Sequence, residues 1–291
     1  MRIRLVIVYG LLTCVGAYLY ALQKSKLVLP DFDTASYIQD KKTLSSPTTH
    51  YLLKESGNTI LDAFKDIYTS QRTCEEKKNS TPKIIHQIWL GSPVPAKFKR
   101  LQQKLKDLHP TWHYKLWTDK DIADFKLLNQ AAYDEAKNYG EKSDIARYEI
   151  LEREGGVYVD MDVESLKPFD FLNDRYDFYV ALEPLRANTL TCLSVANAII
   201  GCKAGHPIVK ECIEQIKKPQ IDTKNAHPIL KTVIKTGPVL LTRVCYNHRA
   251  LLKKTGIILP SECFTPANKI WYSKSTPYRF CIHQWAHTWM K

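Results

Sequence analysis

Two aspartates one residue apart, Asp160 and Asp162, follow the strongly strand-forming run Val157-Tyr158-Val159. In a strand, residues two apart share a face, so their carboxylates are expected side by side. Like charges that close repel. Three arrangements relieve the repulsion: one carboxylate is protonated, both are solvated at a strand end, or a divalent cation with oxygen ligands sits between them. The third is the one that does chemistry.

Spacing alone is a weak signal, because the same pattern recurs as Asp31-Phe32-Asp33 and Asp119-Lys120-Asp121. Asp31 and Asp33 follow Pro30 in a polar stretch. Thr118 to Asp121 reads as a capping box that opens a helix, with its acidic groups at the positive end of the dipole. Only Asp160 and Asp162 leave a strand of the buried type.

The elements that must position these aspartates lie in Ser143 to Pro168. Ser143 is a good N-cap, and the run that follows has no Gly or Pro from Ala146 to Glu154, with Ile145, Tyr148 and Leu151 spaced for one apolar face. Gly155 and Gly156 end that helix. Asp144 and Arg147, three apart, share a face; as residues alone they read as a surface ion pair or as a helix-dipole partner.

Upstream, Lys83 to Gly91 reads as an apolar strand ending in a glycine turn, and in α/β sheets ligands gather beyond the carboxyl ends of such strands. Trp89 stands there either as a platform for a flat base or as core. Pro95 to Leu108 reads as an amphipathic basic helix with a solvated outer face, and contact with anionic lipid headgroups is the alternative. Trp112 to Trp117 reads as a second strand, followed by the helix that holds Asp119 and Asp121. Strand, helix, strand, helix implies parallel pairing.

Downstream, Phe178 to Leu182 and Leu193 to Ile200 read as further strands, and His206 to Ile216 as a helix. Thr236-Gly237-Pro238 reads as a loop opening a helix. The tail, His283-Gln284-Trp285-Ala286-His287-Thr288-Trp289, is dense in polar aromatics. It reads as an aromatic C-terminal strand or, if helical, as two histidines placed for a metal.

Ser143, Asp144, Arg147, Tyr148, Leu151, Gly155, Gly156, Tyr158, Asp160 and Asp162 together resemble the signature of the DXD-motif glycosyltransferase family 32, which includes fungal initiating α-1,6-mannosyltransferases and inositol-phosphorylceramide mannosyltransferases. The clostridial glucosylating toxins carry a similar core. The resemblance implies a GT-A type, Rossmann-like mixed α/β sheet flanked by helices. It implies a nucleoside-diphosphate sugar as donor, Mn²⁺ or Mg²⁺ held by Asp160 and Asp162, and Asp144 and Arg147 contacting the sugar or diphosphate. Trp89 and Tyr158 would line the nucleotide pocket, and Gly237 would begin a helix near the donor. Similar enzymes end in His-x-Trp-x-x-Ser-Trp, a loop over the diphosphate; here Thr288 replaces the Ser and keeps the hydroxyl, and Trp289 would donate its indole N–H to the leaving group.

Leu5 to Leu22 carries no charge, with Arg2 and Arg4 before it and Lys24 and Lys26 after it. At ~1.5 Å per residue it is just long enough to span hydrocarbon, and no tidy small-residue cleavage site precedes Gln23. Residues 1–24 are expected as a membrane anchor of the single-pass type, Golgi-type if the source is eukaryotic and in the cell membrane if bacterial. Residues 25–80 are expected as a stem with one amphipathic helix over Tyr51–Tyr68, and residues 81–291 as one catalytic domain. Asn79-Ser80-Thr81 fits a glycosylation acceptor, with Pro82 hindering its use.

The formal charge of +12 suits anionic partners. No nucleic-acid-binding motif is present, so nucleic acid is not an expected partner. Of 8 cysteines, Cys14 lies in the apolar segment, and the odd number left cannot all pair within one chain. No CxxC spacing points to zinc. The expected function is metal-dependent transfer of a hexose, with retention of configuration, from a nucleoside-diphosphate sugar to a lipid or glycan acceptor. The alternatives are a sugar-nucleotide or glycan-binding module without turnover, or a metal phosphoesterase, which lacks the usual further ligands.

Overall fold

The computed structural model describes residues 27–36, 44, 46–77, 81–185, 193–266, 276–286 and 288. In chain order these form α1 (Phe32–Ala35), α2 (Pro47–Leu53), α3 (Gly57–Gln71), β1 (Ile84–Ile88), α4 (Ala96–Leu108), β2 (His113–Trp117), α5 (Asp119–Phe125), α6 (Gln130–Glu135), α7 (Tyr139–Glu154), β3 (Gly156–Val159), β4 (Val163–Ser165) and α8 (Asp170–Asn173). They continue with β5 (Phe178–Ala181), β6 (Ile199–Cys202), α9 (Pro207–Lys217), α10 (Pro228–Lys235), α11 (Pro238–Asn247), α12 (Arg249–Thr255), β7 (Gly256–Leu259) and β8 (Cys281–His283).

Six strands form one mixed sheet in the order β2-β1-β3-β6-β5-β7, flanked by helices. The expected parallel pairing holds for β2, β1 and β3 and again for β5 and β7. β6 runs against both of its neighbours. A second, two-stranded sheet pairs β4 with β8, which brings the tail to the segment just after the aspartates.

The segment expected as a stem is part of the folded unit. The single helix expected over Tyr51–Tyr68 is two helices, because Lys54 takes a left-handed conformation (φ +63°) and ends α2, after which Ser56 and Gly57 restart the chain as α3. α3 buries Ile60, Leu61, Phe64, Ile67 and Tyr68 in the main core. Tyr68 donates its hydroxyl to Pro30 O at 2.6 Å, and Tyr176 donates to Gln71 O at 3.0 Å. Ile67 is fully buried, so Ile67→Ala is expected to destabilise the chain by about 2–5 kcal/mol in urea unfolding. A linker position would move it by less than about 0.5 kcal/mol.

The apolar run Leu5–Leu22 and Asn79-Ser80 lie outside the described residues. Among the described residues no helix is long and apolar enough to cross a membrane.

The helix before the diglycine starts earlier than expected. Asn138, not Ser143, is its N-cap, accepting the Glu141 N–H at 2.8 Å, and Ser143 sits one turn inside α7. Gly155 (φ +64°) ends α7 and Gly156 (φ +94°) opens β3, both in the left-handed range that glycine tolerates. A Cβ on Gly156 would come within 2.6 Å of Ile84 O, so the diglycine lets β3 approach β1 closely.

His86, on β1, secures the same corner. Its Nδ1 accepts the Trp117 indole N–H at 3.1 Å, leaving Nε2 to donate to Gly155 O at 2.9 Å. Burial pushes its pKa down to about 4, so the ring is neutral and can hold that tautomer.

Candidate active site

One cavity of about 520 Å³ opens at the edge of the large sheet where β1, β3 and β5 end and β6 begins. It is the size of a small-molecule site. Trp89, Asp144, Arg147, Tyr158, Asp160, Asp162 and Thr288 all line it, so the structure brings together most of the residues singled out from the sequence.

The aspartates meet by a turn, not by strand alternation. β3 ends at Val159, Asp160 N–H donates to Ala198 O at 2.8 Å, and Val163 N–H closes back on Asp160 O at 3.2 Å. Gln87 donates from Nε2 to the same Asp160 carbonyl at 3.3 Å. Asp160 Oδ1 accepts the Tyr158 hydroxyl at 2.6 Å and lies 3.4 Å from Arg147 Nη2. Asp162 Oδ2 accepts the Ala286 N–H at 2.7 Å, and Gln284 N–H donates to the Asp162 carbonyl at 3.1 Å.

His283, the last residue of β8, completes the group: its Nε2 is 3.2 Å from Asp162 Oδ1 and 3.9 Å from Asp160 Oδ2. The expected helical pairing of His283 with His287 is not what places it, since His283 belongs to a strand and His287 lies outside the described residues. Burial raises the Asp160 pKa, with the Asp162 charge adding and Arg147 opposing. Burial would raise Asp162 too, but the hydrogen bond and charge of His283 and the Ala286 N–H hold it below the usual carboxylate range. Burial would lower His283, and the carboxylates of Asp162, Asp160 and Glu183 outweigh it and hold the imidazole above its ordinary value.

The His283 imidazole sits where it can offset part of the repulsion between the two aspartates, and a metal bound in the same place would take over that role as the imidazole gave up any second proton. The donor set fits a metal on its chemistry: two carboxylates and one imidazole offer ligand atoms within 4.8 Å of one another. Such a mixed O and N set suits first-row divalent ions.

Asp144 and Arg147 were open to a surface reading, and the structure buries both, at 6% and 4% exposure. Arg147 Nη2 is 3.0 Å from Asp144 Oδ1, Nη1 donates to Asn197 O at 2.6 Å, and the guanidinium stacks 4.3 Å over the Tyr158 ring. Asp144 also accepts from Asn197 Nδ2 at 2.8 Å and from the Thr236 hydroxyl at 3.0 Å. Burial still pushes its pKa up to about 6, against the pull of Arg147. Asp144 Oδ1 already faces two donors, whereas Oδ2, with Thr236 alone, keeps acceptor capacity.

The end of the cavity next to β1 is aromatic. Trp89 packs on Phe98 with ring centres 5.2 Å apart, and its indole N–H donates to Ser92 Oγ at 3.2 Å. Tyr139, 52% exposed, stands over Gly91 at the mouth. Of the two expected decoys, Asp121 accepts the Thr118 N–H and hydroxyl at 2.9 and 2.6 Å as a cap, and Asp31 accepts the Thr34 N–H at 3.0 Å.

Gly237 caps α11 but does not line the cavity; Pro238 and Val239, the first turn after it, do. Thr288 is exposed on the cavity rim. Trp289 lies outside the described residues. The reading of the sequence missed His283 as a partner of the aspartates, and it missed Asn197, Thr236 and Glu183. Only Glu183 carried a signal, as an acid directly after an apolar strand. Burial pushes its carboxyl up to about 7. Among the described residues, six cysteines are free thiols, so no disulfide braces the site.

Comparison with known proteins places a sugar-binding region of glycosyltransferases containing the DXD motif over residues 95–179. Inositol phosphoceramide mannosyltransferase 3 of Schizosaccharomyces pombe is 29% identical over 190 residues, which is 64% of this chain and 49% of that protein. The initiation-specific α-1,6-mannosyltransferase of Candida albicans is 36% identical over 204 residues, covering 57% of this chain and 53% of that protein. The chain therefore spans about half the length of these curated relatives. Among solved structures, PaToxG glycosyltransferase overlaps 70% of this chain and 80% of its own, at TM-score 0.48 and 19% identity.

Proposed function

The chain belongs to the glycosyltransferase family whose sugar-binding region contains the DXD motif, and from that premise we propose that it moves a hexose from a nucleoside-diphosphate sugar to a lipid or glycan acceptor. The observation that carries this reading is the convergence of Asp144, Arg147, Asp160, Asp162 and Trp89 on one cavity. The mixed sheet with its cavity beyond the strand ends fits a GT-A type domain.

Trp89 stacks on the base and Tyr158 supports the Arg147 guanidinium behind it. Asp160, Asp162 and His283 would hold Mn²⁺ or Mg²⁺, and a cation there would neutralise charge on the diphosphate. Arg147 places a fixed positive charge where the leaving diphosphate gathers negative charge, which favours the transition state over the ground state. Asp144 accepts hydrogen bonds from sugar hydroxyls. Thr288 offers a hydroxyl to phosphate, and Trp289 an indole N–H.

Retention of configuration is part of the proposal and comes from the family. No residue is assigned as nucleophile, and the leaving phosphate takes the acceptor proton. Names of the relatives favour mannose as the sugar and an inositol-phosphate lipid or a glycan as acceptor, with glucose and galactose kept in the panel. The uncharged run Leu5–Leu22 is proposed as a single-pass membrane anchor that brings the domain to such an acceptor.

The test is a thermal-shift screen of UDP- and GDP-hexoses with and without Mn²⁺, followed by product analysis. A ligand held only by the folded state raises its stability. The expected result is a shift with at least one donor that needs the metal, together with hydrolysis or transfer of that donor. No shift with any donor would sink the reading, and Mn²⁺-dependent binding without product would replace it with the binding module.

A further inference from the structure

The chain passages that reach the cavity are ordered along the sheet. Trp89 follows β1, Asp160 follows β3, Asn197 precedes the reversed strand β6, and Glu183 follows β5, and the sheet order is β1-β3-β6-β5. All four residues line the cavity. Neighbouring strands lie about 4.8 Å apart, so the row is roughly 14 Å long. A nucleoside-diphosphate sugar is itself a linear ligand that runs base, ribose, diphosphate, hexose. On the function proposed above, Trp89 takes the base and the aspartates the diphosphate, which leaves Asn197 and Glu183 at the hexose end.

Glu183 has a fixed backbone there. Its N–H donates to Ser194 O at 2.8 Å beside the isolated bridge between Leu182 and Val195. Asn197 is already committed to Asp144 and Arg147. No hydrogen bond or close ion pair joins the Glu183 carboxylate to another of the described residues, although it lies in the cavity wall. A carboxylate withdrawn from bulk water without a donor is costly, and a ligand rich in hydroxyls supplies donors.

We infer that Glu183 is a substrate-contacting residue that accepts hydrogen bonds from hydroxyl groups at the hexose end of the cavity, on the transferred sugar or on the acceptor. The two sources share one chemistry and differ in which step depends on them. A carboxylate on the transferred sugar helps every turnover, including attack by water. A carboxylate on the acceptor helps only transfer.

The test uses the purified full-length chain and its Glu183→Gln and Glu183→Ala variants with Mn²⁺. Titration calorimetry compares UDP or GDP with the matching UDP- or GDP-hexose, and hydrolysis and transfer are assayed in parallel. The nucleoside diphosphates and Mn²⁺ are expected to bind all three proteins within about twofold, with unchanged melting for the near-isosteric Gln variant. A charge-assisted hydrogen bond lost predicts a roughly ten- to hundredfold defect. It falls on hexose-nucleotide affinity and hydrolysis together if the donor sugar is the partner, or on transfer alone, with hydrolysis intact, if the acceptor is. Wild-type behaviour in both variants overturns the inference while leaving the proposed function standing. Equal loss of Mn²⁺ affinity overturns it in favour of a metal ligand. A wild-type chain that binds no hexose nucleotide overturns the proposed function and this inference with it.

Discussion

Asp162→Asn is expected to lower turnover of the hexose donor by about 10³-fold or more and to remove the Mn²⁺-dependent thermal shift, with only a modest fall in melting temperature without metal from the lost charge opposite His283. The asymmetry follows from what each Asp162 atom does. Its backbone carbonyl receives the Gln284 N–H, and an asparagine keeps that bond. Its Oδ2 receives the Ala286 N–H at 2.7 Å, which the amide oxygen of asparagine also accepts. What the substitution removes is the negative charge, held ionised by His283 and available to a cation. A neutral amide oxygen is a weaker ligand for a hard divalent ion than a carboxylate. The assays are donor hydrolysis over a Mn²⁺ titration and melting with and without the ion. Turnover within twofold of wild type would end the metal assignment.

Arg147→Ala is expected to damage both fold and activity. The guanidinium lies 3.0 Å from one Asp144 oxygen and 3.4 Å from one Asp160 oxygen; Arg147 and Asp144 are withdrawn from bulk water, while the Asp160 side chain is 25% exposed. Removing the cation leaves the buried Asp144 carboxylate without its counter-charge, a loss of about 3–5 kcal/mol. The sign of its pH dependence is fixed. Asp144 already titrates near 6 because of burial, and without Arg147 it would titrate higher still. A carboxyl with a raised folded pKa contributes its full stability below its unfolded value near 4 and loses it as pH rises. The deficit of the variant is therefore larger at pH 7 than at pH 4, which urea unfolding at the two values measures. In kcat/KM the expected loss is about 10²–10³-fold or more. Arg147→Lys keeps the charge but not the fork that reaches Asn197 O and Ser143, so an intermediate defect is expected. An equal deficit of Arg147→Ala against wild type at both pH values would contradict the account of a buried Asp144–Arg147 pair.

The sequence made some of these features legible and hid others for identifiable reasons. The diglycine was readable because few residues accept left-handed backbone, and Thr118 to Asp121 was readable because caps are local. Asp144 and Arg147 were readable as a pair but not as a buried one, since a three-residue spacing is equally common on an exposed helix. The turn that joins Asp160 to Asp162 was missed because strand preference does not mark where a strand stops. His283 was missed because it arrives through β8 pairing with β4, a contact far apart in sequence that no local pattern encodes. Ile60, Phe64 and Ile67 were set aside with the stem because Ser, Thr and Lys around them lower the local apolar content, while the buried face of α3 is complete.

The reversed strand β6 has a consequence for how such a molecule can diversify. Because β6 alone runs backwards, the connection from β5 to β6 leaves and re-enters the sheet on the cavity side, carrying Glu183, Ser194 and Asn197 with it. Asp160 and Asp162 belong to a different excursion, the one from β3 to β4. This part of the site is thereby split between two separately encoded excursions, while Asp144 and Arg147 come from α7, Trp89 from the end of β1 and His283 from β8. A lineage can lengthen or rewrite residues between Glu183 and Asn197, and so retune what is recognised at that end, without touching the residues that hold the diphosphate.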